Sequence, residues 1–364
     1  MECFAGLDVS IEETAICVVD AKGDVLWSGT VPTDPAAIVT ALGRFGAALR
    51  RVGHEAGSLS PWLQPELKAR GLPAVCLDAR HARAVMAAQR NKTDATDALG
   101  LAHIVRTGWF RRAHVKTEEA YRLRLLLTHR RNLKRKFLDL ENAIRHSLKA
   151  FGVRLHKVGR GGFAQAVREA CADDPLTAAL IDVMLDARAA LWTQYLKLHA
   201  MVVQVATHDE TCQRFMHIPG VGPIAALSVR AAIDDPTRFR RSRDVAAYFG
   251  LTSQRWQSGT SIDTQGRISK AGDGDVRRAL YEAATVMLKR YKGKSALKTW
   301  GLRLAKRGCH AKAAIAVARK LVTIMHAMWR DGSEYDPGLG AVEKPAGKET
   351  ACRPGALVPA AAGQ

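Results

Sequence analysis

From Thr117 to Gly152 the chain runs without a proline, and its only glycine is the last residue. Leu123, Leu126, Leu127, Leu133, Phe137, Leu140, Ile144 and Leu148 recur largely at steps of three and four. On a helix those steps draw the side chains into one apolar stripe. A Gly-rich break, "VGRGGF", follows, and a second helical run covers 176–207. Two long helices parted by a break form either an antiparallel coiled-coil arm, able to act as a dimerisation stalk, or a plain helical domain. No internal repeat is present.

The hundred residues before this pair read differently. "CFAGLDVS" and "TAICVVD" are short runs rich in apolar and β-branched residues, and "AKGD" joins the second to "VLWSGTVP" as a hairpin turn. Residues 34–50 show helical periodicity, with Thr33 as the expected cap. "RVGHEAG" is a weaker strand, followed by a helix over 61–71, a strand in "LPAVCLDA", and helices over 79–89 and 93–107. A hairpin followed by strand–helix alternation predicts an α/β sheet with helices packed on it. Beyond the helical pair, 213–331 is mostly helical and rich in Arg and Lys, and 333–364 reads as a disordered tail. The expected divisions are therefore 1–115, 116–212, 213–332 and the tail.

The 364 residues allow two domains with a connecting element. Lys and Arg outnumber Asp and Glu by 55 to 35, a formal net charge of +20. Such an excess favours a polyanionic partner, above all nucleic acid. An anionic membrane surface would call for a basic amphipathic anchor, and none is evident. Ribosome-like basicity without specific chemistry is the bland reading. The seven cysteines are scattered without a CxxC pair, which argues against a disulfide framework or a structural zinc site. No stretch has the length and apolarity of a signal peptide or a membrane span. The expected location is the bacterial cytoplasm, at the nucleoid.

Four carboxylates stand out. Asp8 closes the first strand, Glu55 closes another, and Asp94 and Asp97 sit in "NKTDATDA", just after Arg90 and Lys92. A spacing of three puts Asp94 and Asp97 one turn apart on one helix face. Like charges that close are unfavourable unless solvated or sharing a cation. Strand ends and a helix lying across the same sheet can converge, and four hard oxygen donors suit two Mg²⁺ ions. Two metals about 4 Å apart activate an attacking oxygen and stabilise a leaving one in phosphodiester cleavage. Taken singly, DxxD also describes a solvated helix face, Asp8 a turn residue and Glu55 an ion-pair partner.

The basic half carries two further motifs. "HIPGVGPIAALSV" has a Gly-x-Gly turn, Gly220 and Gly222, leading into an apolar helix. In helix–hairpin–helix modules such a turn offers N–H groups to phosphates; it also serves as a tight link between packed helices. Downstream lie the cluster Arg238, Arg240, Arg241 and Arg243, then a Ser/Thr/Gly-rich loop over 252–269 flanked by Arg255, Trp256, Arg267 and Lys270. A hydroxyl among cations can attack phosphate if a base or metal activates it. Spacing does not choose among Ser253, Ser258, Ser261 and Ser269, and a loop that only contacts DNA fits equally.

In order, "GLDVS", "HEAG", "NKTDATDA", "IPGVGPIAA", "AAYFGLTSQRWQSG" and "RISKAGDGDVRRALYEAA" resemble the transposases of the insertion-sequence-110 family, the DEDD transposases, over about residues 3–330. The resemblance implies an N-terminal RuvC-like, RNase H-type domain, a coiled coil, and a mainly helical C-terminal transposase domain. It implies metal ligands at Asp8, Glu55, Asp94 and Asp97, binding Mg²⁺, and a catalytic serine at Ser258. It further implies a site made up across subunits of a homo-oligomer, a covalent serine–DNA intermediate, and a structured bridge RNA pairing with donor and target DNA. Family members often carry an apolar residue where this chain has His54. The alternatives are a RuvC-like endonuclease using water as nucleophile, and a non-enzymatic basic nucleic-acid-binding protein.

Overall fold

The computed structural model describes residues 2–87, 93–155, 158–259 and 262–338. Arg90, Lys92, Ser261 and the tail from 339 onward lie outside the described residues. The chain forms two compact units, 1–125 and 126–364.

In the first unit, β1 (Cys3–Val9), β2 (Glu13–Asp20) and β3 (Val25–Pro32) form an antiparallel meander. Then come α1 (Pro35–Gly43), β4 (Leu49–Glu55), α2 (Ser60–Ala69), β5 (Ala74–Leu77), α3 (Ala79–Met86) and α4 (Asp94–Thr107). The sheet order is β3-β2-β1-β4-β5, with β4 parallel to both β1 and β5. Cys3, Ala5, Leu7, Ile16 and Val18 face Ile38 and Leu42 of α1 and Leu63 and Leu67 of α2. Phe4, Ala15, Cys17 and Val19 face Ala98, Leu101 and Val105 of α4. Burial on both faces explains why these strands read as unbroken apolar runs rather than alternating ones. The expected helix over 34–50 is shorter. Asp34, not Thr33, caps it by accepting from Ala37 N (2.9 Å), and α1 ends at Gly43 so that Leu49 can enter the sheet. Thr33 instead bonds Ser10 O (3.0 Å) and Thr14 (2.8 Å).

Helix α4 lies unusually close on the sheet because two glycines let it. A Cβ on Gly6 of β1 would stand 2.1 Å from Ala98 O and 2.3 Å from Ala102 N, and one on Gly53 of β4 would stand 2.3 Å from Val105 Cγ1. Arg106 at the other end of α4 donates to Ala21 O (3.1 Å), just beyond the end of β2 that pairs with Cys3. The helix thus runs antiparallel to β1, and its first turn overhangs the end of the sheet where Asp8 and Glu55 stand.

In the second unit, α5 (Glu118–Ser147), within which the division between units falls, pairs with α7 (Pro175–His208). Arg130 donates to His199 Nδ1 (3.1 Å) and to the Tyr195 hydroxyl (2.9 Å). Phe137 meets Trp192 with ring centroids 4.9 Å apart, and Arg188 donates to Glu141 Oε1 (3.0 Å). Ile144 and Leu148 pack with Ile181 and Leu185. Numbers rising on one helix fall on the other, so the two form an antiparallel hairpin within one chain. A short helix not read from the sequence, α6 (Phe163–Ala170), occupies the break and buries Phe163 and Val167.

The remaining elements are α8 (Glu210–Met216), α9 (Pro223–Ile233), α10 (Ser242–Tyr248), β6 (Ser253–Ser258), β7 (Ile262–Ile268), α11 (Gly274–Lys289), α12 (Ala296–Arg307) and α13 (His310–Asp331). The expected loop over 252–269 is therefore mostly an antiparallel ribbon, β6–β7. The start of the expected tail is also folded down: Tyr335 OH lies 2.9 Å from Ser295 Oγ, and Ala296 N donates to Pro337 O (2.9 Å). The second of these satisfies a free N–H at the start of α12. Among the described residues no helix is long and apolar enough to cross a membrane.

The seating of α4 is testable. Gly6→Ala should destabilise the first unit by about 3 kcal/mol or more, because backbone rather than a flexible side chain must move. Gly43→Ala, whose Cβ would meet nothing within 4 Å, should be neutral or stabilise by up to about 1 kcal/mol. Urea unfolding of the two variants measures the contrast.

Candidate active site and nucleic-acid interface

Gly6 and Asp8 are two apart on β1 and Gly53 and Glu55 two apart on β4, while the register sets Gly6 against Gly53 and Leu7 against His54. Asp8 and Glu55 therefore end neighbouring parallel strands on the face that α4 covers. Both line a cavity of about 270 Å³, together with Ser10, Ile11, Gly57 and Ser58. Ser60 shapes the turn after Glu55, accepting from Gly57 N (2.9 Å) and donating to Glu55 O (3.3 Å).

Asp94 lies one turn before Ala98, about 6 Å along the helix axis. Asp8 lies two residues past Gly6, about 7 Å along the strand in the same direction. All four carboxylates thus belong to one end of one sheet. Among the described residues, however, no three of His, Cys, Asp or Glu stand close enough to hold one metal ion. Asp94 is exposed and Asp97 half-buried. The threonines of "TDATDA" have a separate task that the sequence reading missed. Thr93 Oγ accepts from Thr96 N (3.2 Å) and Thr96 Oγ from Thr93 N (2.9 Å), a reciprocal cap. The T-x-x-T spacing was its signal. With the caps supplied by threonines, both aspartates stand in the first turn, where the helix dipole favours negative charge.

His54 lies on the opposite face of the sheet from Glu55. It is buried, its Nε2 is 2.6 Å from Gln64 Oε1, and the Gln64 amide donates to Ala74 O (2.9 Å). Burial holds its pKa below the ordinary value. A polar residue is tolerated there because α2 supplies a fitted partner.

In the second unit, Gly220 (φ 89°) rests on α11: a Cβ would stand 2.4 Å from Ala283 O. Close packing alone accounts for that glycine, whereas Gly222, the residue before α9, has open space around it. Arg238 turns inward, donating to Ile233 O (2.8 Å) with its guanidinium over Phe239 and Tyr248 at 5.2 and 5.3 Å. Arg240, Arg241 and Arg243 are exposed, as are Arg267 and Lys270.

Every residue of β6 is exposed. The ribbon is held by Arg255, whose Nε and terminal nitrogen donate to the two oxygens of Asp263 at 2.6 and 2.7 Å, and by Trp256, whose ring lies on Gly266. The Asp263 carboxylate raises the Arg255 pKa further. At the ribbon's base Ser269 N donates to Thr252 O (2.9 Å) and Lys270 N to Gly250 O (3.1 Å). Gly272 (φ 67°) comes so near Tyr248 O that a Cβ would stand at 2.1 Å. Arg277, which the sequence reading passed over, ties this base to α11 by donating to Phe249 O (3.1 Å) and Gly272 O (3.2 Å). Ser258 ends β6, opposite Ile262 and next to the turn. Ser253 begins the same strand, and Ser269 closes the base.

Comparison with known proteins bears on both halves. A family model for the DEDD transposase of IS110, described as "Transposase", matches residues 5–152. A second, described as "Transposase IS116/IS110/IS902 family", matches residues 212–300. The chain belongs to the IS110 family of transposases. These are enzymes of DNA cleavage and strand transfer. The Coxiella burnetii transposase for insertion sequence element IS1111A is 27% identical over 92% of this chain and 91% of its own length. A probable family 20 transposase of Pseudomonas aeruginosa is 28% identical, covering 68% of this chain and 75% of its own. A pilin gene-inverting protein of Moraxella bovis is 33% identical over 33% of this chain and 37% of its own. The first match in this IS110-family chain contains Asp8, Glu55, Asp94 and Asp97, and the second contains Gly220 and the whole β6–β7 ribbon.

The arginine segment depends on a buried histidine. His326 of α13 donates from Nε2 to Pro236 O (2.9 Å), which leaves Nδ1 to accept from Ser242 Oγ (3.0 Å). Burial, outweighing nearby Asp331, lowers its pKa. The unfolded chain therefore takes up a proton near pH 6.5 that the folded chain refuses. Its contribution is complete above about pH 6.5 and is lost as pH falls through the lower folded value. His326→Leu should reduce the acid-side slope, by at most about 1.4 kcal/mol per pH unit, and should destabilise at pH 8 by about 1–3 kcal/mol through the orphaned Pro236 carbonyl. Urea titrations from pH 8 to pH 5 test both effects (about one titrating group).

Proposed function

We propose that the chain is a Mg²⁺-dependent recombinase of an insertion sequence that cleaves and exchanges DNA strands with Ser258 as nucleophile. Its first unit is read as an RNase H-like, RuvC-like domain, which the meander followed by two parallel strands supports. The carrying observation is that Asp8 and Glu55 share one cavity at the ends of adjacent parallel strands, with the first turn of α4 over that end.

The donor set fits a hard divalent cation: four carboxylates, with the His54 imidazole at the cavity wall engaged by Gln64 instead. Asp8, Glu55, Asp94 and Asp97 would hold the ions, and their closing into one coordination group is what this reading requires on metal binding. Bound there, the metal would polarise the scissile phosphate and lower the pKa of an attacking hydroxyl. The remaining chemistry belongs to the protein. Asp8 and Glu55 stay rigid because β1 and β4 are buried on both sides. Ser258 presents its hydroxyl at the end of an exposed ribbon. Attack by Ser258 Oγ would form an O–P bond to one strand end and free the hydroxyl at the other, and rejoining to a different strand reverses the step. A two-stranded ribbon without a core of its own suits a surface completed by another body, and exposed Leu138, Leu180, Val183 and Leu196 on the α5–α7 hairpin support a homo-oligomer built through it. Arg240, Arg241, Arg243, Arg255, Arg267 and Lys270, with Trp256, supply cations and an aromatic face for DNA. A structured guide RNA is the second polyanion in this reading, and Arg90 and Lys92, which precede Asp94 in the sequence, are read as further phosphate contacts.

Element-end DNA, its RNA and Mg²⁺ should yield a protein–DNA adduct at Ser258, identified by mass spectrometry after digestion. Ser258→Ala should abolish the adduct and lower strand exchange by about a thousandfold or more while DNA binding persists. Asp8→Asn or Asp97→Asn should do the same, and a chelator should mimic them. Full exchange by Ser258→Ala would overturn the nucleophile. Cleaved ends without an adduct would establish water as attacker instead.

A further inference from the structure

The first unit holds an aromatic and cationic patch that neither the carboxylates nor the ribbon uses. Gly108 (φ 72°) ends α4 in a left-handed turn, and the chain returns along β5. Asp78 N donates to Arg111 O (2.8 Å), Ala113 N donates to Cys76 O (2.9 Å), and Arg112 bridges Leu77 in antiparallel fashion. Phe110 turns into the core, with the Arg51 guanidinium 6.0 Å above its ring. Trp109 turns the other way. It is 70% exposed, and His81 of α3 meets its ring edge-on, centroids 5.4 Å apart at 78°. Arg111, Arg112 and Arg83 of α3 are exposed as well.

The setting distinguishes Trp109 from a stray surface residue. Its backbone neighbours are hydrogen-bonded into the sheet edge and its ring is braced, so a bare aromatic face is held in place at little entropic expense to a ligand. Leu77 pairs with Glu55 on one side and with Arg112 on the other. Two strand spacings, about 10 Å, therefore separate Arg112 from Glu55 at the same end of the sheet. Rigid aromatic faces flanked by arginines are what unpaired bases stack on, while the cations neutralise the adjoining phosphates.

We propose that Trp109, braced by His81 and flanked by Arg111 and Arg112, is a stacking platform for an unpaired base of the DNA strand being cut. The assignment rests on reading the first unit as the DNA-cleaving one, since a strand entering the carboxylate cavity reaches Trp109 after a short step. It extracts a base beside the scissile phosphate and so fixes which phosphate enters the cavity.

Binding of the full chain to a single-stranded oligodeoxynucleotide carrying 2-aminopurine, in excess chelator, tests this without any cleavage. Stacking on Trp109 should quench the probe. Trp109→Ala should abolish the quench and raise Kd about 5- to 150-fold, and Trp109→Phe should keep most of both. The slope of log Kd against log salt should be unchanged in Trp109→Ala but shallower by roughly 0.7 in Arg111→Ala and in Arg112→Ala. Equal melting temperatures of the variants exclude misfolding, since Trp109 is outside the core. An unchanged Kd and quench in Trp109→Ala overturns the proposal, as does an equal loss on fully paired duplex. Dependence on Trp109 with RNA of the same sequence but not with DNA overturns the assignment to the DNA strand. Because divalent metal is absent, failure here is separate from failure of the metal-ligand or Ser258 assignments.

Discussion

The close approach of α4 to β1 and β4 is the constraint on which the first unit depends. A helix normally stands off a sheet by the width of its side chains. Here Gly6 and Gly53 remove two of them, and the backbone of α4 at Ala98 and Ala102 comes down onto the strands. That contact fixes both the height and the direction of the helix. Its first turn, with Asp94 and Asp97, is thereby carried over the strand ends that bear Asp8 and Glu55. Core packing of Leu101, Ala102 and Val105 further down the same helix holds that turn in place. Burial along the length of α4, rather than its terminal carboxylates, thus sets where the first turn stands.

The second unit uses the opposite arrangement. Helix α9 is buried along most of its length under α7, α8 and α11, and α13 packs on α11, giving a helical body. From that body projects a ribbon that buries almost nothing and depends on one Arg–Asp pair and one Trp–Gly contact. Exposed ion pairs contribute little, so the ribbon's order comes chiefly from its base, where Gly250, Gly272 and Arg277 clamp the two ends. The Ser258 hydroxyl at the end of that ribbon is positioned without being enclosed.

Much of this was legible in the sequence, for identifiable reasons. The strands of the first unit, the β2–β3 turn and the helices α2 to α5 and α7 follow from apolar runs, period and Gly or Asp punctuation. The carboxylates were legible by type, but the seating of α4 depends on Gly6 and Gly53, whose role is a matter of close packing invisible to periodicity. The β6–β7 ribbon was read as a loop because its residues are polar on both faces, and alternation carries no signal when neither face is buried. Asp34 displaced Thr33 as cap because a proline follows it at the first helical position. Arg238 was grouped with its exposed neighbours, yet its place over two aromatic rings is set by tertiary contacts that charge clustering does not reveal.

Counting Mn²⁺ ions bound per chain, from the loss of the free-ion electron paramagnetic resonance signal, tests most directly whether the sheet end is a metal centre. About two ions per chain, lost together when Gly6→Ala lifts α4 or when any of the four carboxylates is made an amide, is the expected result. Binding that is absent from the intact chain, or that persists through all of those substitutions, would contradict it.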